Sequence, residues 1–159
     1  MASPAHNIPV PAPQPGLRSY IVYSELPAGC IAFEVPDDSF APFLHAGEFV
    51  VIDPEDREPA EGELFAITWK SDIRQKWQIV HMDLRAGRYG KGNVFEDGWL
   101  WFIGAPAPQQ MMSLAGHPVG PALRWADGPY RDDYCREISH GKIIGIFEPD
   151  FRRQLTKVN

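Results

Sequence analysis

Short apolar runs, each four to six residues long and each shut off by glycine, proline or a polar cluster, set the strongest limit on what this chain can fold into. A run that short cannot supply three turns of helix, but it fills one strand. Cys30–Val35 alternates, with Ile31, Phe33 and Val35 on one face and Ala32 and Glu34 on the other. Ser19–Ser24 carries Tyr20, Ile21, Val22 and Tyr23, side chains that suit a pleated surface. Phe49–Ile52, Leu64–Trp69, Trp77–Met82, Trp99–Ile103 and Lys142–Phe147 repeat the pattern, and polar Lys70–Lys76 reads as a hairpin connection. The expected fold is mainly β, a compact set of twisted antiparallel sheets with few short helices.

Helical signals are confined to one turn over Phe40–Leu44 and a short helix over Pro108–Leu114, stopped before Gly116 and Pro118. Trp99 and Trp101 share a strand face and are expected in the core, with Phe102 opposite. Gly104–Tyr134 reads as a long loop rich in proline and aromatic residues, with Trp125, Tyr130 and Tyr134 covering the sheet or lining a groove.

Composition bounds the organisation. Proline makes up 16 of 159 residues, and Pro4, Pro9, Pro11, Pro13 and Pro15 crowd the start. Residues 1–16 are expected to form a disordered tail, or a docking segment read in polyproline geometry. Residues 17–159 are expected to form one domain. The formal net charge is −6 with the basic residues scattered, which suits neither phosphate neutralisation nor nucleic-acid binding. No run reaches the roughly 20 apolar residues of a membrane span, and no secretory signal is expected from the first residues. Two cysteines, Cys30 and Cys135, make no disulfide framework and suggest free thiols in a reducing, cytoplasmic setting. His6, His45, His117 and His140 lack ligand spacing, so neither a metal nor another cofactor is expected.

Chemistry concentrates in Val35-Pro36-Asp37-Asp38-Ser39-Phe40-Ala41-Pro42. A strand ending in this turn can present the Ser39 hydroxyl together with converging backbone N–H groups. A hydrolytic serine needs both, the second as donors for a developing oxyanion. It also needs a base. His81 starts near the right pKa and shares a strand face with Ile79. Lys76 qualifies only if desolvated. The bland alternatives are a turn serine, a core histidine and a surface lysine.

Four boxes in order extend the argument. Asp38-Ser39-Phe40-Ala41-Pro42 followed by Gly47-Glu48-Phe49-Val50-Val51, then Gly62–Ile67, Ile79–Met82 and His140–Phe147, resemble the LexA-type repressor and signal-peptidase clan of serine peptidases. The resemblance covers Ile31–Met82 and the last strand. It implies Ser39 as nucleophile, His81 in the place of the bacterial lysine base, and the Asp38 and Ser39 N–H groups as the oxyanion hole. In the clan's histidine members an aspartate orients the base. Asn93 stands in the matching stretch here, which leaves Asp83 and Asp97 as candidate orienting acids. Phe40 replaces the clan's methionine, and Asp37 its glycine.

Two functional expectations follow. One is a serine endopeptidase that takes an extended peptide along a sheet edge. The other is a catalytically degenerate module, a regulatory or protein-interaction domain that keeps the groove and has lost the base. Ala28-Gly29 lies only ten residues before Ser39, too close for the self-cleavage that SOS-type regulators of the clan perform. The resemblance also implies a homodimer through the C-terminal strand.

Overall fold

The computed structural model describes residues 20–41, 43–91, 94–106, 114–115 and 123–149. Pro42, residues 1–16 and all of Pro108–Leu114 but Leu114 lie outside them, and with them the tail and the second helix expected from sequence.

Among the described residues, eight strands form one sheet: β1 (Ile21–Tyr23), β2 (Ile31–Glu34), β3 (Phe49–Asp53), β4 (Leu64–Ile67), β5 (Gln78–Lys91), β6 (Val94–Pro106), β7 (Leu123–Tyr130) and β8 (Ser139–Phe147). The order is β2-β3-β8-β4-β5-β6-β7, and neighbours along this path are antiparallel. β1 runs parallel to β8 beyond the end of β4, on the same edge. A 3-10 turn (Asp38–Phe40) follows β2, and a helix, α1 (Asp132–Ile138), precedes β8. The chain is therefore mainly β. Every run read as a strand coincides with one, and Lys70–Lys76 does connect an antiparallel hairpin, β4 to β5.

β8 organises the sheet, because β3 lies on one side of it and β4 and β1 share the other. Gly145 makes that crowding tolerable. A Cβ there would stand 2.3 Å from the Ile21 carbonyl oxygen and 2.6 Å from the Tyr23 ring. Both faces are covered, as one cluster around Val35, Phe40, Leu44, Val50, Leu64, Ile79 and Ile143, and another around Phe65, Ile67, Val80, Met82, Trp101, Ile103 and Cys135. β4 is buried at all four positions because it contributes to both. The serine turn packs on the first face, through Phe40. Helix α1 packs on the second, through Cys135 and Ile138. Desolvation pushes the buried Cys135 thiol up to about 12, which keeps it from acting as a nucleophile.

Three expectations need correction. Gly104–Tyr134 is not one loop, since it contains the end of β6, all of β7 and the first three residues of α1. Its strand was hidden because Ala126-Asp127-Gly128-Pro129 looks like a turn, yet this is an edge strand, where a cis Gly128–Pro129 bond and a bulge are tolerated. The seven-residue α1 was missed because Asp132-Asp133 reads as polar loop. Trp99 and Trp101 do share a face, but only Trp101 is buried. Its indole N–H donates to Asp132 Oδ1 at 2.5 Å, whereas Trp99 lies further along the β5–β6 arm and is 65% exposed.

At the start of β8 an imidazole is embedded in the fold. His140 stacks on Trp77 with ring centroids 4.1 Å apart, and its Nε2 lies 2.6 Å from Thr68 Oγ1. Burial, and then the Arg57 charge, lower its pKa below the ordinary 6.5. As pH falls through 6.5 the unfolded chain takes up this proton before the folded one does. The contribution of His140 is therefore intact above 6.5 and declines below it. His140→Gln is expected to flatten the acid limb of a urea-midpoint-versus-pH curve below 6.5, and an unchanged limb would place the loss elsewhere.

Candidate functional site

Ser39 sits where β2 ends and the chain must leave the sheet. Pro36 stops the strand, and Asp37, in extended conformation, caps the 3-10 turn. The Asp37 Oδ1 accepts the Ser39 N–H at 2.8 Å. Asp38 Oδ1 accepts the Ala46 N–H at 2.9 Å and ties the turn to the loop before β3. Phe40 is buried beneath the turn and anchors it to the first cluster.

Beside the turn opens a pocket of about 230 Å³. Val35, Pro36, Phe40, Ile79 and Trp125 give it apolar walls, and Asp37, Ser39 and Gln78 supply its polar groups. Trp125, read from sequence among the residues that cover the sheet or line a groove, stands at this pocket 39% exposed. Gln78 accepts the Trp69 indole N–H at 2.9 Å. Sequence reasoning missed Trp125 and Gln78 as partners of Ser39, since β7 and β5 meet the turn only through the sheet. Asp37-Asp38-Ser39 did carry a usable signal, an Asx-type cap followed two residues later by the amide it binds.

The register puts His81 opposite Leu64 and Gly104, so its side chain shares the Ile79 face, the one carrying the serine turn. His81 is largely buried, and its Nδ1 stands 3.4 Å from Asp83 Oδ1. Arg85 approaches the other Asp83 oxygen at 3.4 Å. Of the two candidate orienting acids, Asp83 is the one beside His81. The Asp97 side chain lies outside the described residues, although its backbone pairs with Arg88 on the long arm.

The surroundings of Lys76 and of the Ser39 N–H bear on two of the sequence expectations. Lys76 is exposed, in a turn where its N–H donates to Asp72 Oδ2. It thus lacks the burial that the sequence argument required of a lysine base. The Ser39 N–H is also turned away from the role of oxyanion donor, because it already serves the Asp37 carboxylate. A carboxylate at that spot repels the negative charge an oxyanion hole must stabilise. Among the described residues, no three His, Cys, Asp or Glu side chains gather as a metal site, and no helix is long and apolar enough to cross a membrane. Comparison with protein-family models, with curated proteins and with solved structures finds no match to this chain.

Proposed function

We propose that this domain binds an extended peptide along the β2 edge and into the Ser39 pocket without cutting it. The observation that carries this reading is the bond from the Ser39 N–H to Asp37 Oδ1, which leaves a binding pocket where a peptidase needs an oxyanion hole. β2 closes one end of the strand order. The Val35 N–H donates to Glu48 O on the β3 side, so Phe33 and Ile31 also turn their polar groups inward. Ala32 and Glu34 turn theirs outward. An added strand finds donors and acceptors there, and its side chains on the pocket face meet Val35, Pro36 and Trp125. Asp37 at the pocket favours a cationic neighbour to an apolar anchor. In this reading the domain is a catalytically degenerate relative of the LexA and signal-peptidase clan.

The serine-peptidase reading, with Ser39 as nucleophile and His81 as base, has one observation in its favour. Asp83 stands within ion-pair reach of His81 Nδ1, the placement that orients a base.

Titration with the probe acetyl-Arg-Leu-Thr-Leu-Thr-amide tests the proposal by amide and indole NMR. The expected result is saturable shifts at Ala32, Glu34 and the Trp125 indole, with at least a tenfold weaker response in Trp125→Ala. Shifts confined to other surfaces would remove the groove from consideration.

A further inference from the structure

Four aromatic rings form a row that starts on the second cluster and ends at the Ser39 pocket. Tyr134 on α1 stacks on Tyr130 at the end of β7, with ring centroids 4.4 Å apart. Tyr130 lies 6.1 Å from Trp69, and Trp69 lies 6.5 Å from Trp125, both pairs tilted. Trp125 is also a wall of the pocket. Tyr134, Tyr130 and Trp69 are half-buried, and Trp125 is exposed. Solvent therefore reaches part of each ring.

A carboxylate accompanies the row. Trp125 and Asp127 share one face of β7, because Trp125, Ala126 and Asp127 pair in unbroken register with Ala105, Gly104 and Ile103. Two residues apart on a strand, their Cα atoms are separated by about 7 Å. Asp127 is exposed. Its Oδ1 accepts the Gly128 N–H and its Oδ2 the Tyr130 hydroxyl, both at 2.9 Å. These donors are neutral and leave the carboxylate its charge. Burial, then the bond to Asp127, push the Tyr130 phenol above its ordinary 10, so it stays a donor. At the far end of the row the same combination already holds a cation. Lys70 Nζ stands 5.1 Å from the centre of the Tyr134 ring and pairs with Glu137.

Ring faces beside a carboxylate suit a cationic side chain. An anion is repelled there, and an apolar side chain gains nothing from Asp127. A planar guanidinium can stack on an indole and still turn its N–H fork to a carboxylate, whereas an ammonium is a point charge.

We infer that Trp125, Trp69, Tyr130 and Asp127 form an arginine subsite, which takes the guanidinium of a peptide lying on β2 and in the Ser39 pocket. The inference rests on the peptide-binding reading above and names the side chain selected. A peptide antiparallel to β2 brings its N-terminal end to Val35 and Pro36, where the pocket lies. An arginine there has only to reach past Trp125, which pocket and row share. Gln78 joins them as well, since it lines the pocket and accepts the Trp69 indole N–H at 2.9 Å. The net charge of −6 attracts such a peptide at longer range.

Titration of the full chain with acetyl-Arg-Leu-Thr-Leu-Thr-amide and with acetyl-Gln-Leu-Thr-Leu-Thr-amide tests this by amide and indole NMR. Wild type is expected to bind the arginine peptide about tenfold more tightly, with shifts at the Trp69 and Trp125 indoles. The preference should shrink as salt rises. Asp127→Asn keeps an oxygen acceptor for the Tyr130 hydroxyl and removes the charge, so it should cut the preference to about threefold or less. A preference that stays tenfold in Asp127→Asn overturns the subsite and assigns the cation to Asp37. Equal binding of the two peptides by wild type overturns it too, and shifts at Ala32 and Glu34 in that case leave the peptide-binding reading standing. If neither peptide shifts Ala32 and Glu34, that reading falls and the subsite falls with it.

Discussion

Gly104→Val is expected to destabilise the domain by about 3 kcal/mol or more. Gly104 pairs with His81 on one side and Ala126 on the other. A Cβ there would stand 1.9 Å from the Trp125 carbonyl oxygen and 3.0 Å from its carbon. Both atoms are backbone, so relief requires β7 to part from β6. Losing that pairing also displaces Trp125 from the pocket. Gly98 on the same strand is the control, since a Cβ there meets nothing within 4 Å. Gly98→Val should change the urea midpoint by no more than about 0.5 kcal/mol of stability. Similar losses in the two variants would contradict the packing described for β7.

Phe40→Ala is expected to cost about 3–5 kcal/mol, the usual penalty for emptying a buried phenylalanine site. Its second effect is specific to function. Phe40 ties the serine turn to the first cluster and forms a wall of the pocket. With the ring removed, Pro36, Asp37 and Ser39 lose their platform, and peptide-induced shifts at Ala32 and Trp125 should disappear under conditions where the variant is still folded. Phe65→Ala separates the two effects. Phe65 is equally buried, but it belongs to the cluster on the opposite face. It should cost a comparable amount while leaving the peptide response in place. A Phe65→Ala protein that also loses binding would show that the groove follows global stability, not the turn.

The strands were legible because their apolar residues alternate and their ends carry glycine, proline or polar clusters. Cys30–Val35 and Lys142–Phe147 needed nothing beyond period-two patterning. β7 was not legible, because its interior reads Ala126-Asp127-Gly128-Pro129 and what holds it is its pairing with β6. Nor did periodicity tell how far β5 and β6 run. Beyond Asp83 their arms continue through Gly87, Arg88 and Gly98, where the apolar pattern has ended but the cross-strand register persists.

At the site, the sequence placed Ser39 at the end of a strand and His81 on the Ile79 face, both from local pattern. It also offered Asp83 as an orienting acid, two residues beyond His81 on the same face. It could not tell which way the Ser39 N–H points, because that depends on Asp37 curling back as a cap. The exposure of Lys76, one of the two sequence alternatives for it, comes from the Asp72 turn, where Arg74 and Lys76 amides both bond the Asp72 carboxylate. Trp125 reached the pocket through two strand pairings that no short window contains.

Binding without cleavage at the Ser39 turn, as proposed, has a direct consequence for mass. The most direct measurement is intact mass over time for wild type and Ser39→Ala, each incubated with a pool of extended peptides from mildly acidic to alkaline pH. Protein and peptides are expected to keep their masses in both samples at every pH. Cleavage in the wild-type sample that vanishes in Ser39→Ala would contradict it and make His81 and Asp83 the next residues to replace.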